Sequence, residues 1–243
     1  MQQSKLILRL LLFILGLNLS GLYAQSVSGT RGLIHSPTAE LFPDKTFILG
    51  ASYIPQPYFQ RFNRRVNPGM PTYVNLTLLP FMEVMFRYTH ELNMKVNPET
   101  RYFPDRMMTF RFQLLKERNK LPAFVLGLQD VTRLVNLSST ANNYAALYGV
   151  VTKSFNAKNW RLKTSLGYGL EIEEVRSLED YRGVFGGIEL AHQSLPDTSF
   201  MLEYNSYHPI VGMNHLFFKR FHFMVGLWDL KKITAGINYR KIL

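Results

Sequence analysis

The stretch Leu162-Lys-Thr-Ser-Leu-Gly-Tyr-Gly-Leu170 decides the fold class, because apolar residues alternate in it with glycine, small polar residues or charge. Alternation with a period of two places successive side chains on opposite faces of a β-strand. The same period recurs from Thr46 onward, for example at Met82–Tyr88 and Ile233–Tyr239. A strand with one apolar face and one glycine-rich polar face is typical of a wall between lipid and a polar lumen.

The alternation predicts twelve strands, and most have about the 9–11 residues that a tilted membrane-spanning strand requires. The predicted strands are 46–54, 72–80, 82–92, 106–117, 122–130, 143–154, 160–170, 183–193, 198–207, 211–218, 220–229 and 231–241. Connections after even-numbered strands are short, whereas those after odd-numbered strands are long until near the end of the chain. The sequence therefore predicts an all-β, antiparallel transmembrane β-barrel of about 12 strands, with short periplasmic turns and longer external loops. A soluble β-sandwich or a lipocalin-like barrel is the alternative.

Residues 1–24 have the three parts of a secretory signal peptide: a basic start at Lys5 and Arg9, an apolar run, and small residues before Ala24. An N-terminal membrane anchor is the alternative. We expect three regions: a signal peptide at 1–24, a periplasmic N-terminal segment at 25–45, and an outer-membrane barrel at 46–243. The N-terminal segment is either a plug in the periplasmic mouth or a leading strand or loop that caps the first hairpin.

Composition narrows the functional classes. Of the 243 residues 19% are charged and none is cysteine, against roughly 25% charged residues in a typical soluble domain. The absence of cysteine removes disulfide frameworks, thiolate metal sites and cysteine nucleophiles. Lysine and arginine exceed aspartate and glutamate by 28 to 17. We nevertheless expect no nucleic-acid partner, because an exported chain meets no genome and shows no basic recognition module.

A run near the start of the expected mature chain carries a family resemblance. The run Gly29-Thr-Arg-Gly-Leu-Ile-His-Ser-Pro-Thr-Ala39, followed by Asp44 and Gly50, resembles the opening of the YjbH-type exopolysaccharide biosynthesis proteins. Its motif residues are Gly29, Gly32, Leu33, Pro37, Thr38 and Ala39. Further segments that resemble the family follow in the same order: Asp105-Arg106, 122–127 with Asp130, Gly167-Tyr-Gly169, Gly183–Glu189 and Glu203-Tyr204. Because longer members extend beyond this length, the chain resembles a single barrel unit.

The resemblance implies a β-barrel protein of the Gram-negative outer membrane that is linked to production or export of extracellular polysaccharide. We expect it to assist production, export or surface assembly of the polysaccharide without catalysing a reaction. The expected partners are polysaccharide, outer-membrane lipid and lipopolysaccharide, and other proteins of an export machinery. Arg61, Arg64 and Arg65 lie in the first long loop, where lipopolysaccharide phosphates or acidic glycan are natural partners. A solvated loop is the alternative for these arginines.

If the apolar faces meet lipid, the polar faces of the strands point into the lumen. The lumen or constriction candidates are Glu83, Arg87, Arg111, Gln113, Lys163, Glu189, Glu203, Asn238 and Arg240. They form either an ion-paired core that fills a narrow barrel or a polar constriction for a glycan. We expect Glu189 and Glu203 to pair with Arg87 and Arg111.

The sequence shows no catalytic or metal-binding pattern. Its six histidines are scattered, and none has a metal-ligand spacing. We therefore expect no catalytic residues, no metal and no cofactor. One alternative is a membrane-embedded enzyme acting on lipid or glycan, with a Ser/His/carboxylate cluster at the external rim, where His208 and His215 are expected. The other is a narrow general pore.

Overall fold

The computed structural model describes residues 24–59, 67–93, 105–131, 145–170 and 181–243. The expected signal peptide up to residue 23 lies outside the described residues. The chain folds into one closed antiparallel β-barrel of twelve strands. The strands are β1 (Thr46–Tyr53), β2 (Gly69–Leu79), β3 (Met82–Glu91), β4 (Asp105–Leu115), β5 (Ala123–Gln129), β6 (Ala146–Ala157), β7 (Trp160–Leu170), β8 (Gly183–His192), β9 (Thr198–Tyr204), β10 (Pro209–Phe217), β11 (Phe221–Trp228) and β12 (Lys232–Ile242).

The barrel closes by pairing its first and last strands. Strands β1 and β12 run antiparallel in register from Thr46–Ile242 to Tyr53–Ala235, and every other strand pairs with its neighbours in sequence. The predicted all-β, 12-strand antiparallel barrel is therefore confirmed, and the sandwich alternative is wrong. In the part of the chain that the structure describes, no helix is long and apolar enough to cross a membrane.

The apolar face of the strands points outward. On β7, Leu166 and Tyr168 are 61% and 56% exposed, whereas Lys163 and Ser165 are buried inside the barrel. Large exposed apolar residues occur all around the wall, for example Leu49, Phe86, Val184, Phe200, Phe223 and Ile237. A barrel with an apolar exterior and a polar interior reverses the arrangement of a soluble ligand-binding barrel.

The strand boundaries differ from the predicted ones by at most three residues, and local turns explain the differences. Strand β9 ends at Tyr204 rather than at 207 because the Asn205 side-chain carbonyl accepts hydrogen bonds from the amides of Tyr207 (3.2 Å) and His208 (2.8 Å). Strand β6 continues to Ala157 because only two residues connect it to β7, and the first of them, Lys158, has a φ of 51°.

The barrel interior contains the start of the described chain. Residues 24–43, which we call the inner segment, are buried except for Glu40 and Pro43, which are half-buried. Val27, Ile34 and Ala39 have no exposed surface. The core of the protein is therefore the packing of the inner segment, chiefly against the inward faces of the strands.

Candidate functional site

The inner segment is a compact loop with little regular structure of its own. It forms two isolated antiparallel bridges, between Gln25 and Arg31 and between Gly32 and Pro37. The amide of Val27 donates to the carbonyl of Ile34 at 2.7 Å. A buried backbone needs partners for its remaining polar groups, and the side chains of the barrel wall supply many of them.

Two glycines allow the inner segment to pack this closely. Gly29 has a φ of 97°, and a Cβ atom there would lie 2.6 Å from the ring of Tyr73 on β2. A Cβ atom on Gly32 would lie 2.4 Å from the carbonyl oxygen of Ser36 within the segment itself. Contacts this short exclude any side chain, so these two motif positions require glycine for packing.

Arg111 on β4 is the most extensive polar anchor of the inner segment. It is fully buried, and its Nη1 donates to Oε1 of Glu83 at 3.0 Å and to the carbonyl of Arg31 at 3.1 Å. Its Nη2 donates to the carbonyls of Thr38 and Glu40. One guanidinium thus joins the β3 wall to three carbonyls of the segment, as its five fixed donors permit.

Neutral side chains on the same side of the barrel add further hydrogen bonds. Asn75 Nδ2 on β2 donates to the carbonyl of Gly29 at 2.9 Å. Gln113 Nε2 on β4 donates to the carbonyl of Ala39 at 2.8 Å, and Thr152 Oγ1 on β6 accepts from the Ala39 amide at 2.7 Å. The segment is therefore held along its length by several strands.

A carboxylate anchors the segment on β9. Glu203 accepts hydrogen bonds from the backbone amides of Ile34 and His35, each at 2.9 Å, and of Ser36 at 3.3 Å. Its side chain is buried, with 2% of the residue exposed. Three converging amides provide a compact anion-binding arrangement for this carboxylate.

Glu40 is the centre of an ion-pair network at the end of the segment. Its Oε2 lies 2.8 Å from Nη2 of Arg31 and 2.7 Å from Nζ of Lys163 on β7. Lys163 in turn lies 3.5 Å from Oε2 of Glu189 on β8. Burial raises the pKa of Glu40, but the charges of Arg31 and Lys163 outweigh burial and lower this pKa from 4.5 to about 2.

Aromatic and small residues complete the contact. The hydroxyl of Tyr181 donates to the carbonyl of His35 at 2.9 Å, and the His35 ring lies 5.2 Å from the ring of Trp228. Ile34 packs over Gly212 on β10, where a Cβ atom would lie 2.7 Å from its Cδ1. The wall is thus shaped to this segment by apolar as well as polar contacts.

All the predicted lumen residues lie on inward-facing strand positions. Four of them bind the inner segment directly: Arg111, Gln113, Lys163 and Glu203. Glu83 and Glu189 hold two of those four, whereas Arg87 and Asn238 are buried and Arg240 is half-buried on the same face. Arg61, Arg64 and Arg65 lie outside the described residues.

The expected ion-pair partners were wrong. Glu203 binds backbone amides, while Glu189 accepts from Ser199 Oγ at 2.8 Å and lies beside Lys163. The strand register explains the actual pairs, because Glu83 lies directly opposite Arg111 and Lys163 lies directly opposite Glu189. Directly opposite residues on one face are the closest cross-strand neighbours.

Sequence reasoning missed several residues that hold the segment: Glu40, Asn75, Thr152 and Tyr181. Asn75 and Thr152 occupy inward positions of β2 and β6, so strand alternation contained the signal that would have found them. Tyr181 follows a long connection and Glu40 precedes the first strand. Neither of these two residues lies in a strand, so the two-residue alternation could not identify them.

A second polar cluster lies where the long connections leave the barrel. His208 Nδ1 lies 3.0 Å from Oδ2 of Asp229, and the Tyr58 hydroxyl donates to the same oxygen at 2.8 Å. Among the described residues, no hydroxyl is hydrogen-bonded to the His208 ring. His215 is at the opposite end of β10, against Thr198 Oγ1 at 2.8 Å, so its expected place at the same rim was wrong.

Metal binding has no assembled candidate within residues 24–59, 67–93, 105–131, 145–170 and 181–243. No group of three histidine, aspartate or glutamate side chains there is placed to hold an ion. Several charged groups of the interior instead bind the inner segment, among them Arg111, Lys163 and Glu203. The arrangement is suited to binding a peptide segment inside a barrel.

Comparison with known proteins identifies the family. No curated protein matches the chain. The YjbH family model, described as "Exopolysaccharide biosynthesis protein YbjH", matches residues 24–172. The match begins at the first residue of the inner segment and continues through β7, so it includes the segment, the Arg111 anchor and Lys163. Because it spans more than half of the sequence, the chain belongs to the YjbH exopolysaccharide biosynthesis family.

Proposed function

We propose that this protein is a non-enzymatic barrel of the Gram-negative outer membrane that assists production, export or surface assembly of an extracellular polysaccharide. The observation that carries the proposal is the combination of family membership with a closed barrel whose exterior is apolar. A closed barrel has no unpaired strand edges, which is the requirement for strands to cross lipid.

The connections support an orientation in that membrane. Two residues join β2 to β3 and two join β6 to β7, whereas the connections after β1, β3, β5 and β7 are long. Short turns face the periplasm in bacterial outer-membrane barrels. The long connections, and the His208–Asp229 pair beside them, would then face the cell exterior.

The inner segment supports an assisting role over that of a diffusion pore. It occupies the interior and is bound by wall side chains on β2, β4, β6, β7 and β9. A glycan passing through the barrel would have to displace these contacts. We therefore propose that the segment keeps the barrel closed, and that polysaccharide, lipopolysaccharide and export-machinery proteins are partners of this closed form.

Gene deletion with outer-membrane fractionation tests the proposal. We expect deletion to lower extracellular polysaccharide, the wild-type gene to restore it, and the protein to sediment with outer membranes. Unchanged polysaccharide after deletion would contradict the assisting role. Recovery of the protein in the soluble periplasmic fraction would contradict the membrane placement.

A second candidate function is an enzyme of the external rim acting on lipid or glycan. The observation that favours it is the His208–Asp229 pair, in which the carboxylate holds Nδ1 as it would in a hydrolytic dyad. Complementation with His208→Ala and Asp229→Asn separates the two functions. Restored polysaccharide supports the non-enzymatic barrel, whereas loss with a correctly folded, membrane-located protein supports the enzyme.

A further inference from the structure

A groove with one charged end runs over the outward face of strands β1 to β4. Its volume is about 450 Å³. The strand register aligns Leu49, Val74, Phe86 and Met108 in one outward row across these four strands. Leu49 and Phe86 are about half exposed. This row is an apolar floor that nothing else in the described chain covers.

The next outward row is polar and lies toward the long connections. It contains Thr72, Tyr88 and Arg106, which are aligned by the same register. Arg106 is exposed on the second residue of β4, immediately after the long connection from β3. No carboxylate of the described residues forms an ion pair with it, in contrast to Arg111 on the same strand.

The position of Arg106 along the barrel axis indicates which level of the membrane it faces. Tyrosines also face outward near the long-connection ends of β1, β7 and β9, at Tyr53, Tyr168 and Tyr204. Outward tyrosines mark the level where a barrel passes from hydrocarbon to head groups. A guanidinium at this level, above an apolar groove and without a carboxylate partner in the described part of the chain, matches an acyl chain that ends in a phosphate.

We propose that this groove, floored by Leu49, Val74, Phe86 and Met108 and headed by Arg106, is a binding site for lipopolysaccharide. The acyl chain lies along the outward apolar row, and a phosphate of the lipid receives hydrogen bonds from Arg106. The choice of lipid rests on the proposed orientation, which puts Arg106 in the outer leaflet. The site lies on the outward face of the wall and not in the barrel interior.

Native mass spectrometry of the purified protein in detergent micelles tests the site. The probes are lipopolysaccharide, its dephosphorylated form and phosphatidylglycerol. We expect one lipopolysaccharide to bind in preference to the other two, and Arg106→Met to weaken this binding at least about tenfold, since a charge-assisted phosphate contact is lost. Lys232→Met, at an exposed lysine at the same end of the barrel, is the matched control and should bind as wild type does.

A second variant tests the apolar part without changing charge. Val74→Trp fills the groove and should weaken lipopolysaccharide binding while the barrel still folds. Equal binding by wild type and Arg106→Met would overturn the proposal, as would equal binding of dephosphorylated lipopolysaccharide or phosphatidylglycerol to wild type. If wild type fractionates with the outer membrane but fails to bind, only the site is overturned. If it does not fractionate there, the proposed function is overturned first.

Discussion

Replacing Arg111 by methionine would remove the central polar anchor of the inner segment while keeping a long side chain. The guanidinium is fully buried and donates to Glu83 and to the carbonyls of Arg31, Thr38 and Glu40. Methionine fills much of the same volume but donates nothing. The substitution therefore leaves a buried carboxylate without its cation and three carbonyls without a donor.

The expected loss of folding free energy follows from these partners. Removing one member of a buried ion pair costs about 3–5 kcal/mol, because the other charge stays buried and uncompensated. The lost hydrogen bonds to the three carbonyls act in the same direction, at about 1 kcal/mol each, but are not additive with the first loss. We expect Arg111→Met to lower the free energy of unfolding by about 3–5 kcal/mol.

A double-mutant cycle separates the free energy of the Glu83–Arg111 ion pair from that of the other contacts of Arg111. In Glu83→Gln/Arg111→Met no buried carboxylate remains unpaired, so the double variant should lose less stability than the sum of the two single variants. Contacting residues in one network show interaction free energies of about 0.5–3 kcal/mol. We expect a value in the upper part of that range.

Guanidinium unfolding in detergent micelles, followed by tryptophan fluorescence, measures these losses. Trp228 is 2% exposed and lies beside His35, so its emission reports on the interior near the inner segment. Arg106→Met is the matched control on the same strand, where an exposed arginine should matter by less than about 0.5 kcal/mol in micelles free of lipopolysaccharide. Equal stability of the two variants would refute the assigned role of Arg111.

Three further outcomes are expected. Leu166→Arg, on the exposed outward face of β7, should lower the free energy of unfolding in lipid vesicles by about 2–4 kcal/mol. An unchanged urea midpoint of unfolding in vesicles would contradict contact between this face and lipid. Glu40→Gln should lower the free energy of unfolding by at most about 3 kcal/mol near neutral pH, because the Glu40 pKa, lowered from 4.5 to about 2, stabilises the folded state above pH 4.5. The stability difference between wild type and variant should vanish as the pH falls toward 2. Stability profiles that stay parallel over this pH range would disprove the role of Glu40. Gly29→Ala should lower the free energy of unfolding by about 1–3 kcal/mol more than Gly183→Ala does, since both glycines have a positive φ but only Gly29 lies against a ring, that of Tyr73. Similar denaturation midpoints for the two variants would show that the contact with Tyr73 is unimportant.

The strand pattern was predictable because its cause is local. Alternation along Leu162–Leu170 places each side chain on one of two faces, whatever the rest of the chain does. In the structure, that segment lies in β7, whose bounds Trp160–Leu170 are the predicted ones. Turn chemistry was less visible: the Asn205 side chain ends β9 early by binding two amides that follow it.

The polarity of the two strand faces was also predictable, but the partners of the charged side chains on the inward face were not. Charged side chains such as Glu83, Arg111 and Glu203 belong on the face away from lipid, because lipid cannot solvate them. Which charge meets which depends on strand register, a relation between segments distant in sequence. Register placed Glu83 opposite Arg111 and left Glu203 to the amides of the inner segment.

By itself the sequence therefore determined the strands, their number and the face that each side chain takes, since these follow from a two-residue period and the lengths of the connections. Only the tertiary structure decided that residues 24–43 lie inside the barrel. The segment has no period of its own, and both a plug and a capping loop satisfied its glycines and prolines. Its position follows from contacts such as Arg111 with Arg31 and Glu203 with His35, which join residues 80 and 168 positions apart in the chain. Contacts between residues so far apart in the chain leave no local pattern in the sequence, so only the folded barrel shows them.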